Sequence, residues 1–218
     1  MKDQELETKV DPDIADPVDM KKLTQARIYL ERTGHSLTSS LISTREEFLK
    51  MPHLGKKLSL NSIHLLEQLN EKYDLVFSVS DGLSASAIEN HFIPFWKVFA
   101  PLLIQYNFKI APIILIPFGR VAVGNHAGEM LGAKVSAIFI GERPGLSSQD
   151  SMGIYLTYAP NRESKDSESN CLSNIRPPHG LSYEEGAKSL LYLILESMKL
   201  KYSGVNLKLN TDKILLKE

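Results

Sequence analysis

The 218-residue sequence is poor in several features, and each shortage excludes a class of protein. Its single cysteine, Cys171, excludes an intramolecular disulfide and is typical of a reducing cytoplasm. The net charge is only −1, from 25 Lys and Arg against 26 Asp and Glu, which argues against a nucleic-acid-binding or membrane-surface protein. The chain has no apolar run of about 18 residues, so we expect no membrane-spanning helix. A basic region followed by an apolar stretch is missing at the N-terminus, so we expect no secretion signal.

Common catalytic and ligand-binding motifs are missing as well. Neither the phosphate-binding Gly-x-x-x-x-Gly-Lys nor the dinucleotide-binding Gly-x-Gly-x-x-Gly occurs. Ser80 and Ser84 flank Gly82 without a Gly-x-Ser-x-Gly elbow, and this segment is interpreted as a strand-to-helix turn with a serine cap. The six histidines lack metal-ligand spacing to a Cys or carboxylate, and His126 is interpreted as a surface or supporting residue. We therefore assign no catalytic and no metal-binding residue.

The apolar segments that are present predict an open, mainly parallel α/β sheet. Three of them, Leu75–Val79, Ile113–Ile116 and Val135–Ile140, alternate with helical patterns, and the last contains no polar residue except Ser136. A strand that is apolar on both faces is typical of the interior of a parallel sheet. Met152–Tyr158 is predicted to be a fourth strand, towards an edge of the sheet.

Capping residues predict where the helices begin and end. Thr44 with Glu47 and Ser182 with Glu185 have capping-box spacing, and Ser59 is a candidate cap. Four helices are predicted, at residues Ser59 to about Lys72, Ala85 to Gln105, Asn125 to Leu131, and Ser182 to about Lys201. Pro94 and Pro101 are expected to shorten or kink the second helix, and Gly132 to end the third. Residues 161–169 are predicted to form a charged loop.

The chain divides into four regions on composition and pattern. Residues 1–19 are polar, contain two prolines, and are predicted to be a flexible arm. Residues 20–73 are predicted to be a short helical region, with one helix around Met20–Glu31. Residues 74–205 are the predicted α/β domain, and residues 206–218 form a tail.

Two residues near predicted strand ends are candidate ligand contacts. Glu142 follows the strand Val135–Ile140 in the turn GERPG, at the carboxyl end where open α/β sheets place their ligands. From spacing alone, it is either a ligand contact or a salt-bridged turn residue. Cys171 lies in the unusual segment NCLSNIRP, which is interpreted as a loop, and a lone cysteine there is more often a small buried residue than a reactive thiol.

Four segments together resemble the small subunit of adenosylcobalamin-dependent ethanolamine ammonia-lyase. They are SDGLSA, GRVAVGNHAGEMLGAK, GERPGLSSQDSMGIYLTYAP and NCLSNIRPPHGLSY. The resemblance extends from Ala26 to about Val205. It implies a Rossmann-like α/β fold that covers cobalamin at an interface with a large subunit, in heterodimers that assemble into a dodecamer. The lyase, a carbon–nitrogen lyase, converts ethanolamine and other vicinal amino alcohols to oxo compounds and ammonia, and the resemblance implies activity only with the large subunit.

The resemblance also implies three cobalamin contacts. The family's contacts correspond by motif to Val121 of the Gly-Arg-Val turn, to Glu142 of Gly-Glu-Arg-Pro-Gly, and to Cys171 of Asn-Cys-x-Ser-Asn-Ile. A broad, mainly apolar corrin ring fringed with amides requires apolar contacts and hydrogen-bond acceptors, which suits these residue types. The Asp-x-His-x-x-Gly motif, by which some enzymes ligate cobalt through histidine, is missing, because Gly124 stands at the aspartate position relative to His126.

The sequence leaves two questions open: the location of the protein in the cell, and an alternative function. Some family members begin with an amphipathic helix that targets a bacterial microcompartment, whereas residues 1–18 match such a helix poorly. We expect a cytoplasmic protein, either free or inside a microcompartment. The rival prediction is a stand-alone α/β protein that binds a nucleotide or a phosphorylated ligand at a helix N-terminus, with a regulatory role.

Overall fold

A six-stranded mixed sheet with helices on both faces is the framework of the protein. The computed structural model describes residues 35–37, 40–69, 71–142 and 150–210. The strands, in chain order, are β1 (His35–Leu37), β2 (Leu75–Ser80), β3 (Ile113–Leu115), β4 (Val135–Glu142), β5 (Ser151–Tyr158) and β6 (Ser169–Ile175). Their order across the sheet is β1-β3-β2-β4-β5-β6. The first four are parallel, and β5 and β6 continue the sheet in antiparallel fashion.

The predicted α/β class with flanking helices is confirmed, and the prediction of a mainly parallel sheet holds only for its first four strands. Met152–Tyr158 belongs to β5, which lies towards an edge of the sheet as predicted and is separated from that edge by β6. The edge strands β1 and β6 were not predicted. The loop predicted around Cys171 is wrong, because this segment is a strand; its buried residues, Leu172 and Ile175, are three positions apart and so do not follow the strand period of two. A register shift against β5 and a left-handed Asn174 (φ 60°) account for that spacing.

The described residues contain five α-helices, and the capping residues in the sequence predict where four of them begin. They are α1 (Arg45–Lys50), α2 (Leu60–Glu67), α3 (Ala85–Ile104), α4 (Val121–Met130) and α5 (Tyr183–Leu200). The Ser182–Glu185 capping box is confirmed at α5. At α1, the Thr44 hydroxyl accepts from the Glu47 N–H, but the Glu47 carboxylate accepts from the Ser43 N–H, so the predicted box is only half formed.

Several helix boundaries differ from prediction. Helix α2 ends at Glu67, well before Lys72. Helix α3 continues through both Pro94 and Pro101, so neither proline shortens it there. Helix α4 begins a full turn earlier than predicted, which makes Val121 its first residue rather than part of a turn. Gly132, at φ 57°, follows the end of α4 as predicted.

Two apolar cores lie on opposite faces of the sheet. Helices α3 and α5 cover one face, where Phe139 packs edge-on against the rings of Phe92 and Phe95. Helices α2 and α4 cover the other face over β2 and β4. On that second face, β5 and β6 present partly exposed polar side chains. The face of β5 and β6 on the α4 side of the sheet is therefore more polar than the face of β2 and β4.

Some predictions fall on residues outside the described ranges. These are the arm 1–19, the helix around Met20–Glu31, the turn residues Arg143–Gly145 and the last eight positions of the tail. The division into four regions stays a prediction, although residues 35–37 of the second region pair with β3 of the sheet. Within the described residues, no helix is long and apolar enough to cross a membrane.

Candidate functional site

A cavity of about 590 Å³ opens at the edge of the sheet where the parallel strands end. It has three walls: the turn after β2, the N-terminus of α4, and the polar face of strands β4, β5 and β6. Lys56 and Asp166 also line it. Its apolar lining includes Leu83, Val121 and Ile140, and its polar lining includes Glu142 and Ser173. Pockets with apolar walls and a few convergent polar groups are the usual form of small-molecule and cofactor sites.

All three residues singled out in the sequence line this cavity. Val121 is the first residue of α4, Glu142 the last residue of β4, and Cys171 the third residue of β6. Two of these positions correct the sequence analysis. Glu142 pairs with Ser151 inside the β4–β5 ladder, rather than lying in a loop after the strand. Cys171 lies on an edge strand opposite Tyr155, rather than in a loop.

Two hydroxyl groups hold the Glu142 carboxylate in place. Tyr155 donates a hydrogen bond to Oε1 at 2.5 Å, and Ser173 donates one to Oε2 at 2.7 Å. Gly153 lies directly beneath the carboxylate, and a Cβ at that position would overlap the Glu142 carboxyl carbon. Both carboxylate oxygens keep lone pairs for a further donor from the cavity. The carboxylate is therefore a fixed acceptor on the cavity wall.

The neighbours of Glu142 remain protonated at neutral pH. Burial, followed by the hydrogen bond to Glu142, raises the pKa of Tyr155, so its hydroxyl stays a donor. Burial of the sulfur also raises the pKa of Cys171, and this outweighs the opposing effect of its contact with the Tyr155 hydroxyl. Cys171 is exposed as a residue, but its thiol is not activated as a nucleophile.

The N-terminus of α4 forms the opposite wall. Its N-cap residue, Arg120, makes no side-chain capping bond, so backbone N–H groups of the first turn are left for other acceptors. Val121 and Ala122 add apolar surface there, and Lys56 and Arg120 add positive charge. The Arg120 N–H donates to the Gly55 carbonyl at 2.8 Å, which fixes this wall against the N-terminal part of the chain.

Tyr155 and Ser173 are site residues that the sequence analysis missed. Tyr155 lies within a predicted strand, but its alignment with Glu142 depends on the antiparallel β4–β5 register. Ser173 reaches the carboxylate only because β6 is a strand. The alternation of Ser169, Cys171 and Ser173 at every second position was the available signal, and all three line the cavity.

His126 lies in the helix that bears Val121, but it does not face the cavity as a ligand. Its side chain is buried, and Nδ1 accepts from the Leu58 N–H at 3.1 Å. Burial lowers its pKa, so the ring is neutral at pH 7 with its proton on Nε2. The supporting role predicted for His126 fits this contact, whereas a surface position does not. Among the described residues, no group of His, Cys, Asp and Glu has the arrangement of a metal site.

The hydroxyl of Tyr155 is predicted to stabilise the fold through Glu142. We expect Tyr155→Phe to lower the free energy of unfolding by about 1 kcal/mol, because a partly exposed hydrogen bond to a carboxylate is lost. Urea unfolding measures the change. Tyr158→Phe is the matched control, since it removes a hydroxyl from the opposite face of the same strand. Equal losses in both variants would contradict a specific role for the Tyr155–Glu142 bond.

Comparison with known proteins gives a consistent set of relatives. Residues 36–208 match the family model described as ethanolamine ammonia-lyase light chain (EutC). The chain is 45% identical over 173 residues to an ethanolamine ammonia-lyase small subunit of Pseudomonas putida, a match covering 78% of this chain and 63% of that protein. It is 43% identical over 183 residues to the small subunit of Pseudomonas fluorescens, covering 82% and 66% of the two chains. The small subunit of Pseudomonas aeruginosa is 43% identical over 176 residues, covering 79% and 64%. The matched part of the chain thus covers somewhat less than two thirds of the length of these relatives.

Proposed function

The chain belongs to the ethanolamine ammonia-lyase small-subunit family, and from this premise we propose that it is the non-catalytic subunit that clamps adenosylcobalamin against a large subunit. The proposed reaction of the assembled enzyme is deamination of ethanolamine, and of other vicinal amino alcohols, to oxo compounds and ammonia. The observation that carries the proposal is the convergence of Val121, Glu142 and Cys171 on one cavity. Three separate segments of the chain supply these residues, and each residue belongs to a motif that resembles the family's.

The lining of the cavity suits a corrin ring. A corrin is a broad apolar disc whose rim carries neutral amides, so it needs apolar contact together with hydrogen-bond acceptors. Val121, Leu83 and Ile140 offer the apolar surface, and the fixed Glu142 carboxylate offers acceptors. A hydrogen bond from an amide to a carboxylate is charge-assisted and stronger than a neutral one.

The proposed role of this chain is to bind and orient the cofactor. When bound, adenosylcobalamin supplies a radical through homolysis of its cobalt–carbon bond, which is chemistry of the cofactor itself. Glu142 would accept from a rim amide, Val121 would contact the disc, and Cys171 would contribute a protonated thiol and backbone groups. No acid, base or nucleophile is assigned to this chain.

A large subunit is the partner that we propose, in heterodimers that assemble into a dodecamer. The region 20–73 is proposed to brace that partner, and residues 74–205 to hold the cofactor. Support comes from exposed apolar side chains in the described part of the first region, among them Leu41 at 43% and Leu60 at 71% exposure. The parallel half of the sheet would be the Rossmann-like part. We propose a cytoplasmic location, free or within a microcompartment.

One observation favours a second candidate function. The uncapped N-terminus of α4, with Lys56 and Arg120 beside it, has the donors and the charge that a phosphate group needs. A stand-alone protein that binds a nucleotide or a phosphorylated ligand would use this wall of the cavity. It would bind its ligand without a partner subunit, which separates it from the lyase proposal.

Activity of the assembled complex tests the proposed function. We expect cobalamin-dependent ammonia release from ethanolamine when the chain is co-expressed with the family's large subunit, and no turnover by the purified chain alone. We also expect the two chains to co-elute in gel filtration, since obligate subunits bury more than the roughly 1,600 Å² of a standard interface. Turnover by the isolated chain would refute the non-catalytic role. Separate elution with cofactor present would refute the heteromer.

A further inference from the structure

Arg45, at the start of α1, binds the turn that follows β2. Its guanidinium donates to the Gly82 carbonyl at 2.5 Å and to the Leu83 carbonyl at 2.9 Å. The same group lies 3.8 Å from the carboxylate of Asp81 and over the ring of Phe48. The side chains of Arg45 and Asp81 are 12% and 0% exposed, so the ion pair is nearly shielded from water. Since Gly82 and Leu83 line the cavity, Arg45 connects α1 directly to the cavity wall.

Asp81 connects the same turn to a second wall of the cavity. Its Oδ1 accepts from the Phe118 N–H at 2.6 Å, within the loop that leads into α4. Phe118 has a left-handed backbone (φ 56°), a conformation that a non-glycine residue adopts only when its surroundings hold it there. A third connection joins the turn to β4, where the Leu83 N–H donates to the Gly141 carbonyl at 2.9 Å, next to Glu142. The turn that carries Asp81 and Leu83 is therefore bound to α1 by Arg45, to the loop before α4 by Asp81, and to the end of β4 by the Leu83 N–H.

We infer that Arg45 and Asp81 are positioning residues for the cofactor cavity, through which the N-terminal segment sets the relative placement of its three walls. The ligand is cobalamin only in so far as the proposed function holds. The planar guanidinium is suited to this task, because its fork reaches two carbonyls and still faces a carboxylate. A lysine ammonium is a compact point charge and cannot match that geometry.

Stability of the fold alone does not account for this pair. A buried ion pair is weak support for stability, since removing two charges from water costs about as much as their attraction returns. Asp81 Oδ2 is buried, and the group that faces it is the Arg45 guanidinium at 3.8 Å, beyond hydrogen-bond distance. An asparagine would accept equally from the Phe118 N–H. What the carboxylate adds is a charge that holds the Arg45 guanidinium in place over the turn.

The test uses the full chain in complex with the large subunit, titrated with cyanocobalamin and followed by the cobalamin absorption spectrum. We expect Arg45→Lys to weaken binding about tenfold, the equivalent of one lost charge-assisted hydrogen bond. Asp81→Asn should weaken binding in the same direction. Ile194→Val, a buried change in α5 on the opposite face of the sheet, is the control for a general loss of stability. It should lower the thermal midpoint and leave the dissociation constant unchanged.

Hydrogen exchange of the full chain provides a readout that needs no cofactor. Arg45→Lys should speed exchange in peptides covering residues 81–84 and 117–121, and Ile194→Val should not. If the unsubstituted complex fails to bind cyanocobalamin, the proposed function fails and exchange alone decides the inference. If that complex binds and the Arg45 and Asp81 variants bind equally well, the inference is overturned. Unchanged exchange in both peptides would also overturn it.

Discussion

Relative to an Asp81→Asn variant, the unsubstituted chain is expected to lose roughly 2 kcal/mol of unfolding free energy as the pH rises from about 4 to about 7. Burial raises the pKa of Asp81 to about 6, against a usual value of 3.8, and the nearby Arg45 charge offsets only part of that effect. Because the folded-state pKa is raised, the contribution of Asp81 to stability is complete below pH 3.8. It is lost as the pH rises through the folded-state pKa.

Urea unfolding of both chains at several pH values between 4 and 7 measures this difference. The remaining titrating groups are common to the two chains, including His91 and His126, whose pKa values burial lowers. Their contributions cancel in the comparison. Parallel stability curves across this range would show that Asp81 ionises in the folded chain as it does in the unfolded one. Together with the cavity inference, the expected result makes Asp81 a residue that costs stability at neutral pH and serves binding.

Glu142→Gln is expected to weaken cobalamin binding by about five- to a hundredfold, or roughly 1–3 kcal/mol, in the reconstituted complex. The substitution keeps the shape of the side chain but removes its charge and one acceptor oxygen. The position of Glu142 inside the β4–β5 ladder adds a second effect. Its oxygens accept from Tyr155 and Ser173, so we also expect a fall of about 1 kcal/mol in the unfolding free energy.

Cofactor titration and thermal melting of the same preparations separate the two effects. Tyr155→Phe removes one hydrogen bond to the Glu142 carboxylate but leaves the carboxylate's charge. It should therefore weaken cobalamin binding less than Glu142→Gln does. Glu163→Gln, an exposed change in the loop before β6, is the control for loss of one negative charge. If Glu142→Gln lowers the melting temperature but leaves the dissociation constant unchanged, Glu142 is a structural residue at a strand end.

Strands β2, β3 and β4 could be predicted from the sequence because local patterns determine them. The run Val135–Ile140 is apolar on both faces because helices cover both sides of β4, and burial on both faces removes any polar alternation. Ser84 and Ser182 cap helices at the predicted positions, since a cap depends on the few residues next to it. The convergence of Val121 and Glu142 follows from the same topology.

Strand β5 was predicted as well, but its antiparallel pairing and the existence of β6 could not be predicted in this way. Whether β6 forms depends on its pairing with β5, and the register shift near its end interrupts the alternation of its buried residues. The contacts of Glu142 with Tyr155 and Ser173 depend on the registers of two strand pairs, which no local pattern encodes. The contacts of Arg45 could not be predicted either, because its partners in the turn after β2 are more than 30 positions away along the chain.

The alternation along β6 places cavity-lining side chains on one face of the strand and core-packing side chains on the other. Ser169, Cys171 and Ser173 line the cavity, while the intervening Leu172 is buried in the core on the other face. Backbone hydrogen bonds to β5 hold the strand whatever those cavity-facing side chains are. The cavity lining can therefore be varied most freely at Cys171 with Leu172 held constant, since the Ser169 and Ser173 hydroxyls also bond to Thr157 and Glu142.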